Sequence, residues 1–500
     1  MLILQKYTRK TSYDMTILTP LDFLIIFPIF FGVFNLAVPF IIKESIKIRN
    51  ILLIGISICF FLNVILIDYL YLNSIEMKFT LLSINKYSVV FSMEPIGLIF
   101  LTMLALLWIP ALSYTINFIT VNNFSYSSKY LFFVNSCILV GCLVSLSANL
   151  ITMFITYEIL TFCTIPLISY YPNKESLDGL YKYLTILLLS GIILFLPAII
   201  IIYSATGAGT FTAGGFIKDY FSNRTAIILL ITFIFGISKT AIFPLHGWLP
   251  SAMVASYPVS ALLHSVVVVK TGLFCIYKII FYVFGLEYLQ LLFSQFNWLV
   301  LIPTITIVYS SLLAMRVNKI KMLLAYSTIS QLSISLISAF LLTPKGLSAA
   351  IVHMVSHSFT KISIFYAAGS FYSLNKTYYI SDLNGIGTTM PKTSLILLIA
   401  TLSLIGIPPF AGFISKFDII VAAAESENLF VVIVVASSSI FSFLYISRII
   451  ISIYKPIGIK KHIEEKVLPS SMFVILYLCI SLVFIFFFIK QLISITLTFI

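Results

Sequence analysis

Charge is what this sequence has least of. Asp, Glu, Lys and Arg together make up 9% of its 500 residues, where a soluble domain carries roughly a quarter. A water-facing surface over the whole chain is excluded on that ground. Also missing are paired cysteines. Cys59, Cys137, Cys142, Cys163, Cys275 and Cys479 all lie in or beside apolar runs, with no CxxC spacing and no histidine-rich neighbourhood. They read as small packing residues, so no disulfide framework, iron–sulfur cluster, haem or zinc site is expected. No Walker loop, no GxGxxG after a strand and no long polar insert is present, which leaves no place for a nucleotide domain or other cofactor. A cleavable leader is not expected either. Lys6, Arg9, Lys10 and Asp14 make the start polar, and the apolar run from Phe23 to Ile42 is long enough to span, with no small-residue cleavage site after it.

What the chain has instead is apolar length. Residues of the AVILMFWYC set make up 60%, and a span needs about 20 of them in a row. Such windows fall at 22–42, 49–70, 95–120, 128–147, 149–170, 180–204, 225–245, 255–285, 294–315, 320–342, 346–373, 392–424, 428–454 and 470–499. The expected fold is an all-α integral membrane protein of about 14 transmembrane helices. The longest polar connections are 71–94, 205–224 and 455–469.

The formal charge of +13 invites a nucleic-acid reading. That reading fails, because the basic residues are spread through short loops rather than gathered beside aromatics. One set of alternating loops holds Lys43, Lys47, Arg49, Lys129, Lys174, Arg316, Lys319, Lys321, Lys376, Lys392, Lys455, Lys460, Lys461 and Lys466. The other set, with both termini, is poorer. The positive-inside rule then puts both termini outside and the Lys460 loop in the cytoplasm of a bacterial-type inner membrane.

Two spans are interrupted by proline. The seventh runs Gly236-Ile-Ser-Lys239-Thr-Ala-Ile-Phe-Pro244-Leu-His246-Gly-Trp-Leu-Pro250, and the twelfth Gly406-Ile-Pro408-Pro409-Phe-Ala-Gly412-Phe-Ile-Ser-Lys416. Proline removes a backbone donor, and the freed carbonyls need water or polar side chains. The two breaks lie five spans apart, an odd offset that inverts the second unit. This gives a division into N-terminal helices 1–3 (1–127), a first inverted repeat of helices 4–8 (128–285), a second of helices 9–13 (286–455) and a C-terminal helix 14 (456–500).

Ionisable residues inside spans are costly, about 3 kcal/mol or more each, and so are candidates for function. Glu158 and Lys239 lie well inside the fifth and seventh spans; the plain alternative is a structural ion pair. Burial disfavours the charged form of either group and an opposite charge nearby favours it, so such a pair has two states and titrates jointly. Lys182 opens the sixth span, where a lysine also snorkels to the interface. His264 and Lys270 stand six residues apart in the eighth span, on different faces. His353, His357 and Lys361 recur at i, i+4 and i+8 on one face of the eleventh, a natural proton wire. Two histidines at that spacing also suit zinc, but no Asp, Glu or Cys joins them, and no metal site is expected. Lys416 closes the series.

These motifs resemble a known family. His246-Gly-Trp248-Leu-Pro250-Ser-Ala-Met-Val-Ala, Pro258-Val-Ser-Ala-Leu-Leu-His264 with Lys270-Thr-Gly272, Leu324-Ala-Tyr326-Ser327-Thr-Ile-Ser330-Gln331, His353-x3-His357-x3-Lys361 with Ala368-Gly369, and Gly406-Ile-Pro408-Pro409-x-Ala-Gly412-Phe-x-Ser-Lys416 are similar to the signatures of the proton-translocating antiporter-like family. The likeness runs from about residue 90 to 450. That family includes membrane subunits of respiratory complex I (NADH–quinone oxidoreductase), membrane-bound hydrogenases and Mrp-type sodium/proton antiporters. Within it, the run from His246 and the pairing of histidine with lysine in the eleventh span look most similar to the D-type subunits of Mrp antiporters.

The resemblance implies roles. Glu158 is the gating glutamate and Lys239 its partner; Lys270 or His264 forms the central bridge; His353, His357 and Lys361 continue the axis; Lys416 is the exit lysine. It also implies other membrane subunits as partners, and H+ with Na+ as transported ions. The family has Pro-Thr where Ser256-Tyr257 stand, aspartate where Lys319 stands, and often aspartate where Glu94 stands. The expected function is the proton-translocating subunit of a multisubunit Na+/H+ antiporter. Its first rival is a proton-pumping subunit of complex I or a membrane hydrogenase, its second a single-chain transporter with an organic substrate.

Overall fold

Backbone N–H and C=O groups cannot stay unpaired in hydrocarbon, so long apolar runs become helices. In this computed structural model the described residues are 22–42, 45–84, 87–455 and 469–499. Lys43, Lys460, Lys461, Lys466 and the polar residues before Asp22, on which part of the orientation rests, lie outside them.

The helices follow the expected windows closely. They are α1 (Asp22–Ile41), α2 (Ile46–Leu72), α3 (Pro95–Val121), α4 (Ser127–Ser145) and α5 (Leu150–Ile168). Next come α6 (Lys174–Thr206), α7 (Asn223–Gly236) and α8 (Tyr257–Phe284). The second half holds α9 (Trp298–Arg316), α10 (Ile320–Ala339) and α11 (Pro344–Asn375). The chain ends with α12 (Pro391–Ile405), α13 (Ala411–Glu425), α14 (Leu429–Tyr454) and α15 (Pro469–Phe499). Ten of the described helices are long and apolar enough to cross a membrane.

Capping side chains set several starts. Asn149 Oδ1 accepts from Thr152 N at 2.8 Å, and Asn173 Oδ1 from Ser176 N at 2.7 Å in a reciprocal capping box. This box begins α6 six residues ahead of the window expected at 180, since satisfied end amides extend a helix outward.

Both proline-bearing spans are broken, as expected. After Gly236 the chain passes through short 3₁₀ turns, Ser238–Thr240 and Leu245–Gly247, before α8. The twelfth window divides into α12 and α13, with Pro408 and Pro409 exposed in the gap. The polar connection 71–94 departs from an all-helical picture. It contains an antiparallel hairpin of β1 (Lys78–Ile84) and β2 (Tyr87–Ser92), pairing Lys78 with Ser92 and Ile84 with Tyr87. Val89, Val90, Phe79 and Phe91 suit a pleated ribbon.

The core lies on α8, α10 and α11. Every residue of the apolar window of α8 is buried. Around α11 stand α10, α12, α13 and α15. With no lipid to face, α11 tolerates His353, Ser356, His357, Ser358, Thr360, Lys361 and Ser363 in succession, all buried. Outer helices show the opposite pattern, with Ile433, Ile440, Phe443 and Ile451 of α14 exposed.

Candidate functional site

The break after α7 places Lys239 fully buried in the turn Ser238–Thr240. Its Nζ donates to the Tyr157 carbonyl and lies 3.3 Å from the Tyr157 ring centroid. Its backbone N–H donates to Tyr157 Oη at 3.2 Å. Trp248 Nε1 fixes the same turn by donating to the Ser238 carbonyl at 3.0 Å. From the other side, α8 presses its backbone on the turn at Gly272, where a Cβ would stand 2.6 Å from the Lys239 carbonyl carbon.

Glu158 is the next residue on α5, yet no ion pair joins it to Lys239. Acid–base contacts form elsewhere, at Lys278–Glu94, Lys319–Glu175 and Lys345–Glu425. Both Glu158 carboxylate oxygens are buried without a hydrogen-bond partner. Of the two arrangements open to a Glu–Lys pair, this is the separated one: the tyrosine carbonyl and ring hold the ammonium.

A second group lies along α8, α11 and α13, in contact at Lys270–His357 and at His353–Ser415. Lys270 Nζ lies 2.5 Å from His357 Nδ1. The His357 and His353 rings stack at 6.1 Å between centroids. His353 Nδ1 is 3.0 Å from Ser415 Oγ, and Ser415 precedes Lys416. Lys416 Nζ donates to the carbonyls of Leu404 at 3.0 Å and Ile405 at 3.1 Å, the free end of α12. A cation at a helix C-terminus meets both unpaired carbonyls and the negative end of the helix dipole. Lys361 leaves this line, donating to Ser327 Oγ and to the Leu324 carbonyl on α10.

His264 is buried in the π turn Leu262–Val266 with neither ring nitrogen partnered, its ring 5.6 Å from that of Phe365. Between it and Lys270, only Lys270 reaches the α11 histidines. Lys182 and His246 line a cavity of about 1200 Å3 that Glu175, Lys319, Lys321 and Tyr257 also border. The His246 ring packs against those of Phe243 and Tyr309, which also touch each other, beside the exposed Pro244. Lys182 is exposed at the cavity wall, so the structure places it at an opening and not in the buried line.

Sequence reasoning did not single out several participants. Tyr157 and Ser415 look like ordinary span residues until helices meet. Lys321 counted as a loop lysine, but its Nζ donates to the Met253 carbonyl at 2.7 Å and to that of Ala255. Lys278, fully buried on α8, pairs with Glu94 at 2.6 Å and donates to the Ser147 carbonyl at 2.5 Å. The signal was available, since Lys278 interrupts an apolar window eight residues after Lys270.

Fold and buried line together define a polytopic helical membrane protein whose interior is threaded with basic side chains. Residues 147–442 match the family model described as NADH:quinone oxidoreductase/Mrp antiporter, TM. The match covers more than half of the chain, and the chain belongs to this family. A putative antiporter subunit mnhA2 of Staphylococcus haemolyticus is 30% identical over 79% of this chain and 52% of its own length. The A-type subunit of the Na(+)/H(+) antiporter of Alkalihalophilus pseudofirmus is 32% identical over 60% of this chain and 40% of its own. A chloroplastic NAD(P)H-quinone oxidoreductase subunit 5 of Chaetosphaeridium globosum is 32% identical over 55% of this chain and 42% of its own. The chain thus spans about half the length of these curated relatives or less. Both antiporter relatives are of the A type, not D.

Among solved structures, the Mrp complex from Dietzia sp. DQ12-45-1b aligns with a TM-score of 0.82 at 18% identity over 96% of this chain and 97% of that one. An archaeal membrane-bound sulfane sulfur reductase aligns at 0.80 with 23% identity over 95% of each. Both likenesses are of fold.

Proposed function

We propose that this chain is the proton-translocating membrane subunit of a multisubunit monovalent cation (Na+)/H+ antiporter. The observation that supports it most is the buried series Lys270, His357, His353 and Ser415 with Lys416 next in the chain, joined by hydrogen-bond contacts at Lys270–His357 and His353–Ser415. Lysine donates from its ammonium and accepts as a free amine. Neutral imidazole does both at once, so each of these groups can take up a proton and pass one on. Glu158 and Lys239 form the other end of the path, with Lys182 and His246 at its cavity mouth. The two halves are the inverted repeats 128–285 and 286–455, and each contributes one half-channel. H+ and Na+ are the transported ions, further membrane subunits the partners, and a bacterial-type inner membrane with both termini outside the setting.

The subunit is D-type on this reading. The run His246–Ala255 and the lysine at position 416 support that letter. A redox-driven pump remains the second reading, favoured by the identity with the quinone oxidoreductase subunit.

Inverted vesicles carrying the assembled complex separate the two. Added Na+ collapses an imposed proton gradient if the chain serves an antiporter, and Lys239→Ala abolishes the response. NADH-driven acidification that needs this chain and ignores Na+ assigns it to the redox pump instead.

A further inference from the structure

Glu158 lies against the backbone of α6 at Gly191, the first residue of the π turn Gly191–Phe195. A Cβ built on Gly191 would fall on Glu158 Oε1 and stand 3.1 Å from the carboxyl carbon. The backbone there does not require glycine: at φ −61° and ψ −49° it is right-handed helix that any residue adopts. Glycine is also the poorest helix former after proline, and its neighbours Ile192 and Ile193 are exposed on the outer face. Space is therefore what the glycine supplies. The residue before it makes the second contact, since Ser190 Oγ lies 2.5 Å from Ser238 Oγ, beside Lys239 in the chain. Two consecutive residues of α6 thus touch the carboxylate on one side and the lysine-bearing turn on the other.

We infer that Gly191 is a positioning residue for Glu158, its missing side chain forming the notch that seats the carboxylate against α6 and out of an ion pair with Lys239. The π turn fits this role. Its Leu196 N–H reaches the Gly191 carbonyl five residues back, and the bulge brings the α6 backbone up to the carboxylate. The other titratable groups facing Glu158 are Lys239 and the Tyr157 and Tyr183 phenols. The inference rests on the proposed proton path, in which Glu158 and Lys239 form one end.

Gly191→Ala in the assembled complex tests it. A displaced reacting group costs rate steeply, so Na+-dependent proton release in vesicles is expected to fall about tenfold or more. Glu158→Asp, one methylene shorter, withdraws the carboxylate from the filled notch. In the Gly191→Ala background it is expected to restore rate several-fold above the single variant, although alone it slows transport. A Gly191→Ala complex at the wild-type rate, or a double variant that loses the product of both single losses, overturns the inference. If Gly191→Ala accumulates poorly, Glu158→Ala in the same background is the second reading. Recovered accumulation supports the contact, and unchanged low accumulation makes Gly191 a helix-packing glycine and overturns it. Glu158→Gln distinguishes the two levels. Transport that survives it sinks the proposed path, whereas loss with Glu158→Gln but not Gly191→Ala sinks only the notch.

Discussion

A lysine ammonium in the interior of a span costs about 3 kcal/mol on insertion scales, and the buried lysines here meet that cost in different ways. Lys239 has a carbonyl and an aromatic face, Lys416 the open end of a helix, Lys361 a hydroxyl and a carbonyl, Lys278 a carboxylate. Lys270 is the exception, because its closest partner is itself a titratable nitrogen, His357 Nδ1. A proton shared between amine and imidazole is free to move as one held by a fixed carboxylate is not. Lys270→Arg keeps the charge but never yields its proton. The expected result is an assembled complex with transport cut by about a hundredfold; an arginine complex that transports normally removes Lys270 from the path. Ser415→Ala breaks the link from His353 to α13 and leaves a buried ring nitrogen unpartnered, at a cost of about 1–3 kcal/mol. Transport is expected to slow about tenfold while Lys416→Ala abolishes it, a difference read in the same vesicle assay.

At the scale of elements, the breaks decide the chemistry. An uninterrupted α7 would bury its own carbonyls and send position 239 along the helix surface. The turn Ser238–Thr240 sets the lysine against α5 and lets α8 approach at Gly272. Gly272→Ala places a methyl against the Thr240 amide and the Lys239 carbonyl carbon. Overpacking of that kind costs about 1–3 kcal/mol. The purified complex should melt lower and transport more slowly, whereas an alanine at the unobstructed Gly55, where nothing stands within 4 Å, should change neither. The breaks were legible in Pro244, Pro408 and Pro409, because proline cannot donate in a helix. The hairpin in 71–94 was not, since its register depends on packing beside Ser147, which pairs with Phe91.

For the whole molecule, the Glu94–Lys278 pair joins the start of α3 to the far end of α8. Removing one partner of a buried pair leaves an uncompensated charge and costs about 3–5 kcal/mol. Lys278→Met should therefore lower the melting temperature of the purified complex, and adding Glu94→Gln should recover most of the loss. A double variant as unstable as the single one refutes that account. At the other end of the chain, α15 packs on α11, α12, α13 and α3, so the last helix helps enclose the buried histidines rather than trailing from the bundle.

By itself the sequence determined that this is a helical membrane protein, where most helices run, which two are broken and where most of the charged residues within them lie. Those features follow from local properties: apolar length, proline chemistry and the cost of charge in hydrocarbon. Tertiary structure alone decided what each charge faces. Glu158 and Lys239 are brought near yet left unpaired, Lys270 meets His357 rather than His264, and Lys278 finds Glu94 across 184 positions of chain. Partners so distant in sequence are chosen by how helices pack, and no spacing within one helix records that choice.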